Sequence, residues 1–77
     1  MPKIPSIRPR ELIAFFEKLG YIVTRQKGSH VILYQKTSHK RLTIPLHTKD
    51  IPNGTLLSII KQAGLKRDEF IKLRKKI

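Results

Sequence analysis

Two rhythms of apolar residues run along the chain. Leu12, Phe16 and Leu19 recur at i, i+4 and i+7, flanked by Ile13 and Phe15, which gathers them on one stripe of an α-helix. Pro9 suits the first turn of that helix, where its missing N–H leaves no bond unmade, and Gly20 is placed to end it. From Tyr21 the period drops to two. Tyr21, Val23 and Arg25 alternate with Ile22, Thr24 and Gln26, the pattern of a strand. Lys27-Gly28-Ser29 predicts a turn, and Val31-Ile32-Leu33-Tyr34 is a compact run suited to a central strand. Thr37-Ser38-His39-Lys40 reads as a hairpin, and Leu42-Thr43-Ile44 as a third strand that Pro45 ends or confines to an edge. After a loop over 46–52, Leu56, Ile59, Ile60 and Ala63 restore the helical stripe up to Gly64. Asn53-Gly54-Thr55 offers the capped start of this second helix. Asp68-Glu69 ahead of Phe70 and Leu73 predicts a short third helix, whose basic last turn suits the dipole at its C-terminus.

The order α-β-β-β-α-α predicts a small α+β fold: a three-stranded antiparallel sheet with helices on one face and the other face open. Seventy-seven residues suit one domain over 1–77, with Pro2 and Pro5 in an extended lead-in. A chain of this length buries only about 60% of its unfolded surface, so chemistry belongs on an open surface. The absence of cysteine excludes a disulfide scaffold, Cys-based zinc sites and thiol nucleophiles. The longest apolar run, Leu12–Phe16, falls short of the roughly 7–15 residues of a leader core or the roughly 20 of a membrane span. A soluble, cytoplasmic protein is the expectation.

Charge narrows the field of partners. Seventeen Lys and Arg against five Asp and Glu give a net charge of +12. Such a surplus on a folded domain points to a polyanion, nucleic acid first. A solvated basic face is the blander alternative, but self-repulsion would then stand uncompensated. Glu11 and Glu17 lie about 240° apart around a helix, and no carboxylate pair is spaced for acid–base or two-metal chemistry.

Histidine is then the side chain left to move protons near neutrality. His30 follows Gly28-Ser29, opens the second strand and shares a face with Ile32 and Tyr34. Arg25, Lys27 and Lys36 are its neighbours in sequence. Cations that hold a phosphate beside an imidazole that moves a proton suit phosphodiester chemistry. The alternative is a histidine that merely starts a strand. His47, near Lys49 and Asp50, is a second acid–base group, a phosphate contact, or a loop-ordering partner of Asp50; His39, at the hairpin tip, reads as solvated. The three histidines lack the i, i+4 spacing of a zinc helix, so no metal is expected. A P-loop is absent, and the two tyrosines, Tyr21 and Tyr34, do not form the aromatic pair with which some sheets stack bases.

The stretches Arg25-Gln26-Lys27-Gly28-Ser29-His30, Ile44-Pro45-Leu46-His47-Thr48-Lys49-Asp50-Ile51 and Gly54-Thr55-Leu56-Leu57-Ser58-Ile59-Ile60-Lys61-Gln62-Ala63-Gly64-Leu65, in that order, resemble the HicA, or YcfA-like, toxins over about Ile7 to Phe70. The resemblance implies a fold like that of double-stranded-RNA-binding domains, an activity of mRNA cleavage that arrests translation, and a HicB-type antitoxin as partner. It assigns catalysis to the histidine of the Gly-Ser-His motif, His30 here. Asp50 stands where glutamate is usual, Leu57 where a basic residue is common, and Lys66 where a capping serine is frequent.

The combined expectation is a metal-independent endoribonuclease of a toxin–antitoxin system, with His30 as general acid or base. Arg25, Lys27, Gly28, Ser29, Lys36, His47 and Lys49 are the expected RNA contacts. Its partners are mRNA and a HicB-type antitoxin, with no membrane and no small-molecule cofactor. The alternatives are a non-catalytic RNA-binding module and a DNA-binding regulator; against the second, no helix pair reads as helix-turn-helix.

Overall fold

The computed structural model describes residues 6–46 and 49–76. Along the chain come α1 (Pro9–Lys18), β1 (Ile22–Lys27), β2 (His30–Gln35), β3 (Lys40–Pro45), α2 (Asn53–Gln62) and α3 (Arg67–Lys76). The strands form an antiparallel sheet in the order β1-β2-β3, so the apolar β2 is central and Pro45 closes an edge strand, where no ladder partner needs its N–H. This is the α+β order expected from the apolar rhythms.

Helix ends follow from local chemistry. Pro9 is the first residue of α1, and the Glu11 carboxylate reaches back to accept the Arg8 N–H at 3.2 Å. At the other end Gly20 N–H donates to Glu17 O and Tyr21 N–H to Phe16 O, with Gly20 at φ +97: a Schellman motif. Its customary apolar contact is present, because the Phe16 and Tyr21 rings meet edge to face at 5.2 Å. The strand therefore starts one residue later than the alternation predicts, with Tyr21 spent on the helix end. The close of α2 repeats the motif through Gly64 N–H to Lys61 O and Leu65 N–H to Ile60 O. Its start departs from expectation: Pro52, not Asn53, occupies the cap position, and no side chain bonds there. The Pro52 carbonyl instead accepts the first helical bond, from Leu56 N–H, and leaves Asn53 inside the first turn. For α3, Glu69 accepts the N–H of Lys66 at 3.1 Å, so a carboxylate three residues on does the work a capping serine would share.

The core lies between the helices and one sheet face. Val31 and Leu33 of β2 and Leu42 and Ile44 of β3 meet Leu12, Phe15 and Phe16 of α1, Leu56, Ile59 and Ile60 of α2, and Phe70 of α3; all are buried, with no buried charged side chain among the described residues. Phe15 packs edge to face on Phe70 at 4.9 Å and fastens α3 to α1, as does the ion pair of Arg74 with Glu11 at 3.6 Å. Opposite residues Gln35 and Lys40 reach the two helix ends. Gln35 Nε2 donates to Leu19 O at 2.7 Å and Lys40 Nζ to Ala63 O at 3.1 Å, the second placing a cation at the negative end of α2. The Tyr21 hydroxyl is buried without a hydrogen-bond partner. Burial therefore pushes its pKa up, opposed only by the neighbouring Ser38 hydroxyl, which is bonded to the Gln35 side chain. No described helix is long and apolar enough to cross a membrane.

Candidate active site

The face of the sheet turned away from the helices is set by pairing register. His30 lies between Lys27 of β1 and Pro45 of β3, Ile32 between Arg25 and Thr43, and Tyr34 between Ile22 and Arg41. Directly opposed residues of an antiparallel sheet project to the same side, so three cross-strand rows share one surface. Lys27-His30-Pro45 forms the first row, Arg25-Ile32-Thr43 the second and Ile22-Tyr34-Arg41 the third.

Arg25 and Lys27 reach this surface because β1 carries a bulge. The register shifts between Val23 and Arg25, leaving Thr24 as the extra residue. Strict alternation would put Arg25 and Lys27 on the side of Tyr21 and Val23, towards the helices. One inserted residue reverses that and sets both cations beside His30 and Ile32. Thr24 remains tied to β2 through its hydroxyl, which donates to Ile32 O at 3.2 Å.

His30 is exposed, as are Arg25, Lys27, Gly28 and Ser29. The two-residue link Gly28-Ser29 joins paired residues Lys27 and His30, and positive φ occurs at Gly28 (+60) but not at Ser29. That is the pattern of a type II′ hairpin turn, which calls for glycine at its first central position. A side-chain carbon at position 28 would meet no atom within 4 Å, so the approach to the turn is open. The turn is held on its other side by Leu46 N–H, which donates to Ser29 O at 2.6 Å. What glycine supplies here is the positive φ at the first central position of the hairpin that leads into residue 30.

Not every expected contact gathers there. Lys36 lies beyond Gln35 at the far end of β2, about 20 Å along the strand from His30 at roughly 3.4 Å per residue. Adjacency in sequence misleads here, because a strand carries its residues apart. Lys49 is exposed and lines a shallow groove with Arg8, Arg10 and Leu46, whose N–H holds the Ser29 carbonyl; it borders the turn rather than the His30 row. His47 lies outside the described residues. His39, expected to be solvated only, meets Tyr34: its Nδ1 and the Tyr34 hydroxyl are 2.9 Å apart. Arg8 and Arg10, Arg41 and the Tyr34–His39 pair are surface groups that the sequence pattern does not single out. Arg8-Pro9-Arg10 carries a signal in its two cations astride a helix start. Among the described residues no three His, Asp or Glu side chains converge as metal ligands would.

Charge is segregated as well. Residues 18–49, which hold the whole sheet, contain seven Lys or Arg and no Asp or Glu. The acids lie on α1, on α3 and in the loop before α2. A surface that carries cations and no carboxylate, with an imidazole at one end, can bind phosphates and move protons between oxygen atoms.

The sheet, its basic face and the turn before His30 all fall within a segment that matches proteins of toxin–antitoxin systems. The match is to a family model described as the HicA toxin of bacterial toxin–antitoxin, over residues 9–65. The chain belongs to the HicA toxin family, and an antitoxin is the kind of partner this implies. The matched segment runs from the first residue of α1 to the close of α2, so α3 lies outside it. No curated protein matches the chain.

Proposed function

We propose that this toxin is a metal-independent endoribonuclease that cuts mRNA, with His30 as the catalytic residue. The observation that carries the reading is the row Lys27-His30 beside the open turn at Gly28, on a sheet face without acids, in a chain of the HicA toxin family. In the reaction the 2′-oxygen of a ribose attacks the adjacent phosphorus. The O2′–P bond forms, the P–O5′ bond breaks, and the products are a 2′,3′-cyclic phosphate and a 5′-hydroxyl. Two protons move: one leaves the attacking oxygen and one arrives on the departing oxygen. His30 serves one of these transfers as general base or acid, and water or a second side chain serves the other.

Lys27 and Arg25 neutralise the charge that grows on the phosphorane oxygens. Their value comes from preorganisation, since paired strands hold both backbones before substrate arrives. Gly28 and Ser29 admit the phosphate with their backbone, Lys49 extends the contact from the neighbouring groove, and His47 is a further RNA contact in this reading. Lys36 contacts the substrate only at a distance from the cut. A HicB-type antitoxin with an acidic surface would neutralise the toxin by covering this same face in the cytoplasm.

The purified chain tests this. Incubated with single-stranded RNA in the presence of a chelator, it is expected to leave cyclic phosphate ends, and binding should weaken steeply with salt as counterions are released. Cleavage that needs added magnesium, or that leaves 5′-phosphates, would overturn the proposal.

A further inference from the structure

The third cross-strand row is unused by the chemistry at His30, yet it has the makings of a base-binding site. Tyr34 stands on the central strand, in the row at the opposite end of the open face from His30, half-buried, with Ile22 on one side and Arg41 on the other. Ile22 is the most exposed large apolar side chain of the described residues, at 62%. A shallow groove lined by Thr24, Arg25, Ile32, Tyr34 and Arg41 runs from this row towards the second. It presents one aromatic ring, aliphatic carbon and two guanidinium groups.

A second observation shows that the ring is held in place. His39 adopts φ +58, the one positive φ outside glycine among the described residues, and from that conformation its Nδ1 meets the Tyr34 hydroxyl at 2.9 Å. The two rings sit 6.4 Å apart and are tilted by 53°, so they are joined edgewise and not stacked. His39 fixes the hydroxyl edge of Tyr34 and does not stack on its face. Left-handed backbone in a residue with a side chain stores strain that surrounding structure must sustain, and such strain gathers at working sites.

We infer that the Tyr34 row is a subsite for single-stranded RNA, in which one unpaired base stacks on Tyr34 and flanking phosphates lie against Arg25 and Arg41. The inference rests on the reading of the chain as an RNA-cutting toxin and adds the state of the substrate. A tyrosine face offers nothing to a base that is paired and stacked inside a duplex, whereas aromatic platforms between cations are the common means of holding single strands. Tyr34 lies four residues from His30 on the same strand, about 13 Å away. At about 3.4 Å per nucleotide of stacked strand, the stacked base is roughly four nucleotides or fewer from the cut. The strand would cross the sheet lengthwise, with Ile32 and Thr43 beneath it.

Binding can be read apart from cleavage with a 2′-O-methyl octanucleotide, which lacks the attacking hydroxyl. Fluorescence anisotropy of the full chain with this probe is expected to show Tyr34→Ala weakened by roughly 5- to 100-fold, the range for loss of one base–aromatic stack. Tyr34→Phe, which keeps the ring, retains most of the affinity. Arg41→Gln lowers affinity and reduces the salt slope by about one. A duplex of the same sequence binds more weakly than the single strand. Wild-type melting curves for the variants exclude misfolding as the cause. Unchanged affinity in Tyr34→Ala, or tighter binding of the duplex, would overturn the inference. So would a Tyr34→Ala chain that holds the oligonucleotide but no longer captures its antitoxin, since the face would then belong to the protein partner. If the cleavage reading alone is wrong, wild type leaves unmodified RNA intact while the anisotropy result stands.

Discussion

Replacing His30 with alanine lowers the rate of RNA cleavage by about 10²- to 10⁴-fold, the usual contribution of one positioned acid or base, and abolishes growth arrest when the chain is expressed. The melting curve stays close to that of wild type. The structural grounds for separating the two effects are direct. His30 is exposed and lies outside the buried core, and its backbone pairing with Lys27 and Pro45 is kept by alanine. Exposed substitutions of this kind ordinarily change stability by less than about 0.5 kcal/mol. RNA binding survives for the same reason, because Arg25, Lys27 and Arg41 remain on the face. A non-catalytic RNA-binding module would behave differently: it would bind as before and keep its effect on cells. Cleavage rates of purified wild type and variant on one RNA separate the two possibilities.

The second large effect is on folding. Phe16→Ala is expected to cost about 3–5 kcal/mol, the range for truncating a buried aromatic. Phe16 is fully buried at 0% exposure, and its ring meets Phe15 at 5.1 Å and Tyr21 at 5.2 Å, edge to face in both cases. It also supplies the carbonyl that accepts Tyr21 N–H in the Schellman motif, so the cavity opens where α1 hands over to β1. A chain of 77 residues has about 4–12 kcal/mol of stability in total, and each kcal/mol moves the melting temperature by roughly 4–8 °C at this size. The variant should therefore melt at least about 12 °C below wild type and bind RNA weakly for want of a folded sheet. Urea denaturation followed by circular dichroism measures the loss. A shift of only a few degrees would show that α1 is not fastened to the sheet through this ring.

Much of the fold is legible in the sequence because it is written in short-range chemistry. The i, i+4, i+7 stripe of α1, the glycines that close α1 and α2, and the proline at the last residue of β3 each act within a few residues of themselves. What the sequence conceals is set by pairing. The bulge at Thr24 depends on how β1 lies against β2, and no rule of alternation within β1 announces it; yet it decides that Arg25 and Lys27 face the solvent with His30. His39 looks like a solvated tip because its partner is five residues back across a hairpin. Lys36 looks like a neighbour of His30 because a sequence does not show strand length. Asn53 has the chemistry of a cap but stands one position too late, behind a proline whose carbonyl already accepts the first helical bond. The Gly28-Ser29-His30 unit is readable as a turn leading into a strand, and the structure adds the reason glycine is needed there: a positive φ at the first central residue of a two-residue hairpin.

The central claim is that the RNA supplies its own nucleophile while the imidazole at the head of β2 moves a proton. An RNA with a single 2′-deoxy substitution at the mapped cleavage position addresses this with one altered atom. The purified chain is expected to leave that position intact and still cut unmodified sites in the same molecule. Cleavage at the deoxy position at the unmodified rate would contradict the claim, because another nucleophile would then be making the new bond to phosphorus.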